Sequence, residues 1–528
     1  SDVMVDSPTN NFATWNPLDK FAANLVGTLS EGNLKIVDSV NHVVYRATTG
    51  HSSGKWYWEV YMISVGNPAS CHTGICRTNT SSPNSATMPG DTGDAWTYNG
   101  NGNKFVGGGG GTSSYGASYT GGDIIGVALD LDNNTITFYK NNSSQGQLAS
   151  GLTGEFTPLV EEGSHTSQFN TIANFGQDSS FAGNKTAQGN QDGNDIGDFY
   201  YTPPSGFLAL CTKNFPDVAV VPSEHFNPVL YTGNATARSI TGVGFQPDLV
   251  WTKGRSAAWQ NRLTDAVRGA GKELESDSTS AENTSNDLTS FNSDGFSLGT
   301  SNNGNANGVS FVAWNWKANG SGSSNTDGSI NSTVSVNTDA GFSIVSYTGT
   351  GANATVGHGL SSAPELIITK NRIDAVNWVV GTNSIAWTKY LFLDTTGAQG
   401  TSANPWNNTT PTSSFFTVGS APDTNGSSDA MIAYCFHSVD GYSKVGSYTG
   451  NGVVDGTFVY TGFRPAFILR KRTDTTAAWI MQDNRRPGSN RPRADSLPTD
   501  NNVLRASDSS AEEFNNEVDI LSNGFKLR

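Results

Sequence analysis

Charge is what this chain has least of. Asp, Glu, Lys and Arg make up 15% of its 528 residues, against roughly a quarter in an average globular protein. The little there is leans acidic, with 31 Lys and Arg against 46 Asp and Glu, a formal net charge of −15. Without a basic excess there is no electrostatic footprint for nucleic acid, and an acidic partner surface is disfavoured on the same ground. Cysteine is nearly as scarce. Cys71, Cys76, Cys211 and Cys435 are too few for a disulfide scaffold and have no paired metal-ligand spacing, so they are expected as buried thiols. Cys71, His72 and Cys76 lack the fourth ligand that zinc needs, and no metal is assigned. No apolar run approaches the ~20 residues that span a bilayer. The opening Ser1-Asp2-Val3-Met4-Val5-Asp6 has neither the basic nor the apolar region of an export signal. A soluble chain without membrane insertion is expected. Helical periodicity is scarce too; the best window, Trp259 to Arg268, is short and interrupted by polar residues.

What is present reads as strand and turn. Gly accounts for 60 residues, and Asn, Ser and Thr are abundant. Lys55–Ile63 and Ile124–Leu131 are rich in β-branched and aromatic residues and are bounded by turn formers. Asp132-Asn133-Asn134 separates the second run from Thr135–Lys140, and Asn tolerates the positive φ of a tight hairpin turn. An all-β chain follows.

One phrase occurs three times: Tyr-Thr-Gly, a polar stretch, a Pro, an apolar run, then Lys and Arg. The copies begin at Tyr231, Tyr347 and Tyr448 and reach Leu249–Arg255, Leu366–Arg372 and Phe467–Arg472. Each carries a Trp soon after, at Trp259, Trp378 and Trp479. The spacing, on the order of 100 residues, is that of domains rather than of a solenoid. Ala318–Gly328 has the composition of a flexible connector. Four domains are expected: 1–222, then three β-sandwich repeats at 223–320, 330–440 and 441–528. The third copy stops at Gly524-Phe525-Lys526-Leu527-Arg528, where the first continues from its Gly-Phe to the apolar run Val309–Trp316. Either the chain is truncated there or another chain supplies that strand by edge addition.

The candidate chemistry is thin. The Gly107–Gly111 run lacks the Lys-Ser or Lys-Thr and the following helix of a phosphate loop. Asp91–Asp94 and Asp130–Asn134 have the oxygen ligands that calcium favours, but turns use the same residues for their own backbone. Glycoside hydrolysis needs two carboxylates; the sequence places only Glu59 on a strand and nominates no partner, so Glu59 is read as an outward or hydrogen-bonded strand residue. The seven scattered histidines form no nucleophile signature. Trp96, Tyr98, Tyr115 and Tyr119, around the Gly-rich loop, are the candidate binding residues, able to stack on sugar rings, with core packing as the alternative. Basic residues crowd the third copy, from Arg464 through Arg470, Lys471 and Arg472 to Arg485, Arg486, Arg491 and Arg493. They read either as a dock for an acidic neighbour or, with Asp474, Asp483 and Asp495, as a solvated mixed-charge face.

The order Gly54-Lys55-Trp56-Tyr57-Trp58-Glu59-Val60, Gly122-Asp123-Ile124-Ile125-Gly126-Val127 and Ile136-Thr137-Phe138-Tyr139-Lys140-Asn141-Asn142 resembles a SPRY domain, over roughly residues 1 to 215. That resemblance implies a concanavalin-like β-sandwich and a non-enzymatic interaction module without cofactor. Its binding loops would include Pro83–Asp94 and Gly107–Gly116. Asp6–Phe12, Asn174–Gln177 and Pro203–Phe207 look like the version found in bacteriophage virion proteins, and the later copies resemble segments that follow such domains in phage structural proteins. The expectation is therefore a virion protein, a tail or capsid fibre that assembles with other virion proteins and with copies of itself, as a trimer, and binds a host-surface glycan. A lectin-like glycan hydrolase and a cellular surface adhesin are the alternatives.

Overall fold

Alternation at period two drives the first sheets. Lys55–Val65 turns Trp58, Val60 and Met62 inward, all at 0% exposure, and Ile124–Asp130 pairs with it in antiparallel register, Trp58 opposite Val127. Gly126 lies opposite Glu59. A Cβ there would stand 2.7 Å from the Tyr57 hydroxyl, so this position of the Gly-Asp-Ile-Ile-Gly phrase excludes a side chain. The expected hairpin forms: Asp130 pairs with Thr135, and Asn134 takes φ +59°. The Asp130 carboxylate accepts the Asn133 amide N–H and side chain, and Asp132 accepts the Gly54 N–H. The Asp130–Asn134 oxygens considered for calcium thus serve the turn and its neighbour strand; Asp91 and Thr92 of the other stretch lie outside the described residues.

The computed structural model describes residues 11–19, 27–38, 43–80, 93–107, 111–163, 169–216, 220–453, 455–486, 502–514 and 517–528. The chain is nearly all β; its α-helices there are the four-residue Asn302–Asn305 and Pro422–Asn425. The helical window at Trp259–Arg268 contains instead the strand Arg262–Asp265, because its apolar residues face one sheet.

Two compact units result: residues 1–217 with 448–462 and 523–528, and residues 218–447 with 463–522. The first is a sandwich. An eight-stranded sheet, with Lys55–Val65 at its centre, faces a six-stranded sheet in the order Val43–Arg46, Phe156–Glu162, Cys71–Arg77, Ala95–Asn99, Asn103–Phe105, Thr112–Ser114. Trp15, Trp58, Phe138, Phe156 and Phe175 are fully enclosed in this unit's core. Pieces of the third copy belong to it: Tyr460 Oη donates to Gly50 O at 3.2 Å, Asn523 Nδ2 to Thr48 O at 2.7 Å, and the buried Lys526 Nζ to Leu18 O at 2.9 Å.

In the second unit the repeat becomes geometry. Each copy has a lead strand (Leu249–Gly254, Leu366–Asn371, Phe467–Arg470), a second (Arg262–Asp265, Val379–Thr382, Ile480–Asp483) and a third (Lys272–Glu275, Lys389–Phe392, Asn502–Arg505) in one antiparallel order. Copies one and two add a closing strand, Ser310–Trp316 and Ala430–Phe436, against the lead strand. Their main sheets back onto small sheets, as sandwiches do: Arg238–Thr241 with Gly295–Leu298 and Leu288–Asn292, and Ala354–Gly357 with Phe415–Val418.

The opposite faces of all three main sheets share one core, built from Trp251, Leu263, Leu274 and Trp314, from Ile368, Val380, Leu391 and Tyr434, and from Met481 and Leu504. The copies, expected as successive domains, thus close on one another here. The bonds that join them repeat in rotation. The side chain preceding each second strand donates to the carbonyl ending the third strand of the copy before it: Trp378 Nε1 to Glu275 O at 2.7 Å, Trp479 Nε1 to Phe392 O at 2.8 Å, and Asn261 Nδ2 to Arg505 O at 3.0 Å. The lysine ending each apolar run does likewise, Lys370 to Thr279 O, Lys471 to Thr396 O and Lys253 to Asp508 O. The last member of each series reaches back from the first copy to the third and closes the ring.

Two of the three seams carry a buried charge chain. Asp265, Arg268 and Glu282 of copy one continue to Arg372 of copy two; Asp483, Arg486 and Glu512 of copy three continue to Arg255 of copy one. The closing strands join them, Tyr434 Oη donating to Asp265 at 2.8 Å and Trp314 Nε1 to Asp483 at 3.0 Å. At the seam of copies two and three the four positions hold Thr382, Ile385, Gln399 and Thr473, none charged. A buried charge network is worth keeping only whole, since each member left unpaired is costly; here all four are absent together.

The Ala318–Gly328 connector is ordered. Asp248 accepts the N–H groups of Ala318 and Gly320, and Ser323–Asn325 pairs with Ser332–Val334. Of the crowded basic residues, Arg486 is buried in the seam, Arg485 donates to Asn227 Oδ1, Arg470 pairs with Glu517, and Arg472 with Asp474 stays exposed; Arg491, Arg493 and Asp495 lie outside the described residues. No helix among the described residues is long and apolar enough to cross a membrane.

Candidate functional site

The aromatic group is brought together, but inward. Tyr98 and Tyr119 are 0% exposed and Trp96 9%. Tyr98 makes edge contacts with Tyr115, Tyr119 and Phe138, and Trp96 with Phe156. The Tyr119 hydroxyl donates to Cys71 O and Tyr98 O. These rings present no open face to a sugar; Tyr115, partly exposed with its hydroxyl on Gly146 O, is the one at the surface. The expected loops are described only in part, since residues 81–92 and 108–110 lie outside the described residues. Asp94 pairs with Arg77 at 3.8 Å.

Glu59 is buried in the eight-stranded sheet, and its four partners are all donors: the Tyr57 hydroxyl, the Asn174 amide and the backbone N–H groups of Tyr200 and Tyr201. Burial pushes its pKa up to about 7 against those bonds. It ties the 200–201 turn to its strand, as a hydrogen-bonded strand residue.

The polar chemistry of this unit lies on the outer face of the six-stranded sheet. Strand register sets Glu161, His72 and Asn99 side by side on three neighbouring strands, and Leu159, Gly74 and Thr97 in the next row. His72 Nδ1 meets Glu161 Oε1 at 2.6 Å. Glu161, Asn99 and Thr97 are each 0% exposed, yet among the described residues Glu161 Oε2, both amide atoms of Asn99 and the Thr97 hydroxyl have no hydrogen-bond partner. Beside them Arg46 grips Asp19 through two bonds of 2.7 Å and donates to Thr78 O and Thr80 O. Burial works against the Arg46 charge, but Asp19 overrides it and holds the pKa above its usual value. Cys71 points into the core while His72 and Cys76 take the other face, so the three cannot converge on zinc. No group of potential ligands among the described residues could hold a metal ion. Burial raises the Cys76 thiol to about 12, far from a reactive thiolate. The sequence singles out His72 only beside Cys71 and Cys76 and not Glu161 or Asn99, because only strand pairing, across 89 residues for His72 and Glu161, makes the three neighbours.

Residues 55–174 match the SPRY domain, and residues 221–528 match a family described as Domain of unknown function (DUF7483). Ran-binding protein 9 of Danio rerio is 32% identical over 173 residues, which cover 31% of this chain and 28% of that protein; Ran-binding protein 10 of the same fish is 32% identical over 173 residues, 27% of its length. Ran-binding protein 9 of Homo sapiens is 31% identical, with 22% of its length covered. The chain thus spans less than a third of these relatives. Among solved structures, the SPRY domain of human HERC1 is 25% identical, covering 28% of this chain and 91% of that one, with a TM-score of 0.24. The N-terminal expectation of a SPRY domain holds. The bacteriophage attribution does not: the matched relatives are vertebrate proteins, which overturns the virion function, the virion partners and glycan, and the virion location; no adhesin is among them. The match over more than half its length shows that the chain belongs to the DUF7483 family.

Proposed function

We propose that this chain is a non-enzymatic binding protein whose SPRY sandwich takes a polypeptide partner on the face bearing Glu161, His72 and Asn99. The observation that carries the reading is the set of buried, unpartnered groups there. A buried polar atom without a partner costs about 1–3 kcal/mol, and a partner that displaces what covers these groups and supplies the missing donors and acceptors returns it on binding. Asn99 offers both a donor and an acceptor, Glu161 an acceptor, Thr97 either; peptide groups match that set. The relatives' name supplies the first partner to try, Ran. Titrating Ran into the full chain by calorimetry is expected to give saturable binding, weakened at least about tenfold by Asn99→Ala and by Glu161→Gln. No heat at about 100 µM would remove Ran as the partner, and binding unaffected by both substitutions would remove this face.

A further inference from the structure

Inside copy one, three acids surround one base. Strand register sets Arg262 opposite Glu275, with Glu273 two residues before it, and Arg262 Nη1 pairs with both Glu273 Oε1 and Glu275 Oε1. Asp287 joins them from the segment that enters the small sheet. Its N–H donates to Ser285 Oγ at 2.9 Å, and that hydroxyl donates to Glu273 Oε2 at 2.9 Å. The carboxyl groups of Glu273 and Asp287 are in hydrogen-bond contact. All four residues are buried, Glu273 at 1% and Asp287 at 4% exposure. Yet among the described residues neither Asp287 oxygen has a donor. The remaining neighbours are engaged elsewhere: the Tyr231 hydroxyl donates to Gly304 O, Arg238 lies over the Tyr231 ring and donates to Thr232 O, and Lys272 Nζ donates to Thr284 Oγ1. Copy two is built without this group. The same register positions hold Val379, Tyr390, Phe392 and Asn404 there.

Three carboxylates against one guanidinium leave a buried surplus of negative charge, and two carboxylates in contact away from water do not both stay ionised. We infer that Glu273 and Asp287 form a proton-operated latch in copy one. Glu273 holds a proton and donates it to Asp287, which ties the third strand Lys272–Glu275 to the segment leading into Leu288–Asn292; loss of that proton loosens the small sheet. Burial first, then Asp287, pushes the Glu273 carboxyl up to about 8 from an ordinary 4.5, and the proton belongs to the pair. A carboxyl raised on folding contributes its stability in full below the unfolded value, near pH 4.5, and loses it as pH climbs to about 8. Arg262 keeps its charge throughout. The latch is thus tight in mildly acid surroundings and slack in alkaline ones, and it stands or falls independently of the SPRY face.

Hydrogen exchange of the full chain, read by mass spectrometry as protection factors so that the intrinsic pH dependence of exchange drops out, tests this. From about pH 5 to about pH 8.5 the protection of residues 288–298 is expected to fall at least about tenfold. The corresponding strand of copy two, Phe415–Val418, should change by less than about twofold. Asp287→Asn installs the copy-two residue and gives Glu273 an amide donor at any pH; Glu273→Gln gives Asp287 one. Each variant should hold residues 288–298 within about twofold over the same range. Protection that is independent of pH in the parent, that falls equally in copy two, or that falls equally in whichever variant folds would overturn the latch.

Discussion

Replacing Asp483 with Thr puts the logic of the charged seams to a quantitative test. Its carboxylate accepts Trp314 Nε1 at 3.0 Å, Arg486 Nε at 2.7 Å and the backbone N–H groups of Arg485 and Arg486 at 3.0 Å. Without it, Arg486, 3% exposed, keeps only Glu512 as a carboxylate partner. Breaking a buried pair by removing one member costs about 3–5 kcal/mol, which lowers Tm by about 6–20 °C for a unit of this size. Copy two already shows the uncharged solution. Asp483→Thr combined with Arg486→Ile, Glu512→Gln and Arg255→Thr installs the residues of the seam between copies two and three, and should bring stability back to within about 1–2 kcal/mol of the parent. Scanning calorimetry of the full chain and both variants decides it. A quadruple variant less stable than the single one would refute the account of the four residues as an all-or-none network.

Two further outcomes are expected. His51 lies against Trp56 and Phe215, 4.4 and 4.7 Å between ring centroids, and burial lowers its pKa to about 3. The unfolded chain binds the proton from about pH 6.5, so the stability this neutral ring contributes is complete above pH 6.5 and is lost as pH falls toward 3. Glu59, raised to about 7, acts in the opposite sense, withholding stability above pH 7 and returning it as pH falls toward 4.5. Comparing urea unfolding of the parent with His51→Phe isolates the first effect: between pH 7 and pH 4 the parent should lose at most about 3 kcal/mol more than the variant, the partial exposure of the ring making this an upper bound, and parallel curves would remove the assignment. Trp378→Phe deletes the 2.7 Å bond to Glu275 O and leaves that carbonyl with the long 3.4 Å bond from the Ser278 N–H, which should cost about 1 kcal/mol by calorimetry; no measurable loss would argue against the interlocking bonds as a source of stability.

The sandwich was legible because its motifs are contiguous: a tryptophan strand, a glycine that must face Tyr57, and an Asn-rich hairpin each carry local physical reasons. The repeats were legible for the same reason, as an apolar run ending in Lys is visible wherever it lies. Their closure into a ring was not, since Asn261 and Arg505 are 244 residues apart and no local pattern announces such a bond. One signal was available: Asp265-Ala266-Val267-Arg268 and Asp483-Asn484-Arg485-Arg486 share an Asp and an Arg three apart, and the matching stretch of copy two has Thr382 and Ile385. Aligned copy against copy, that difference marks the odd seam. The Glu161, His72 and Asn99 row gave no signal, because strand register assembles it from three separate passages.

The chain passes from the first unit to the second at Asp217, returns for residues 448–462, leaves again and comes back at Asn523. Time is the consequence. The bonds from Tyr460, Asn523 and Lys526 to the sandwich span 410, 475 and 508 residues, so a nascent sandwich emerges with those surfaces around Thr48 and Gly50 bare. At about 5–20 residues per second, the last of its partners follows residue 217 by roughly 15–60 s, an interval in which a chaperone or a wrong strand meets that surface first.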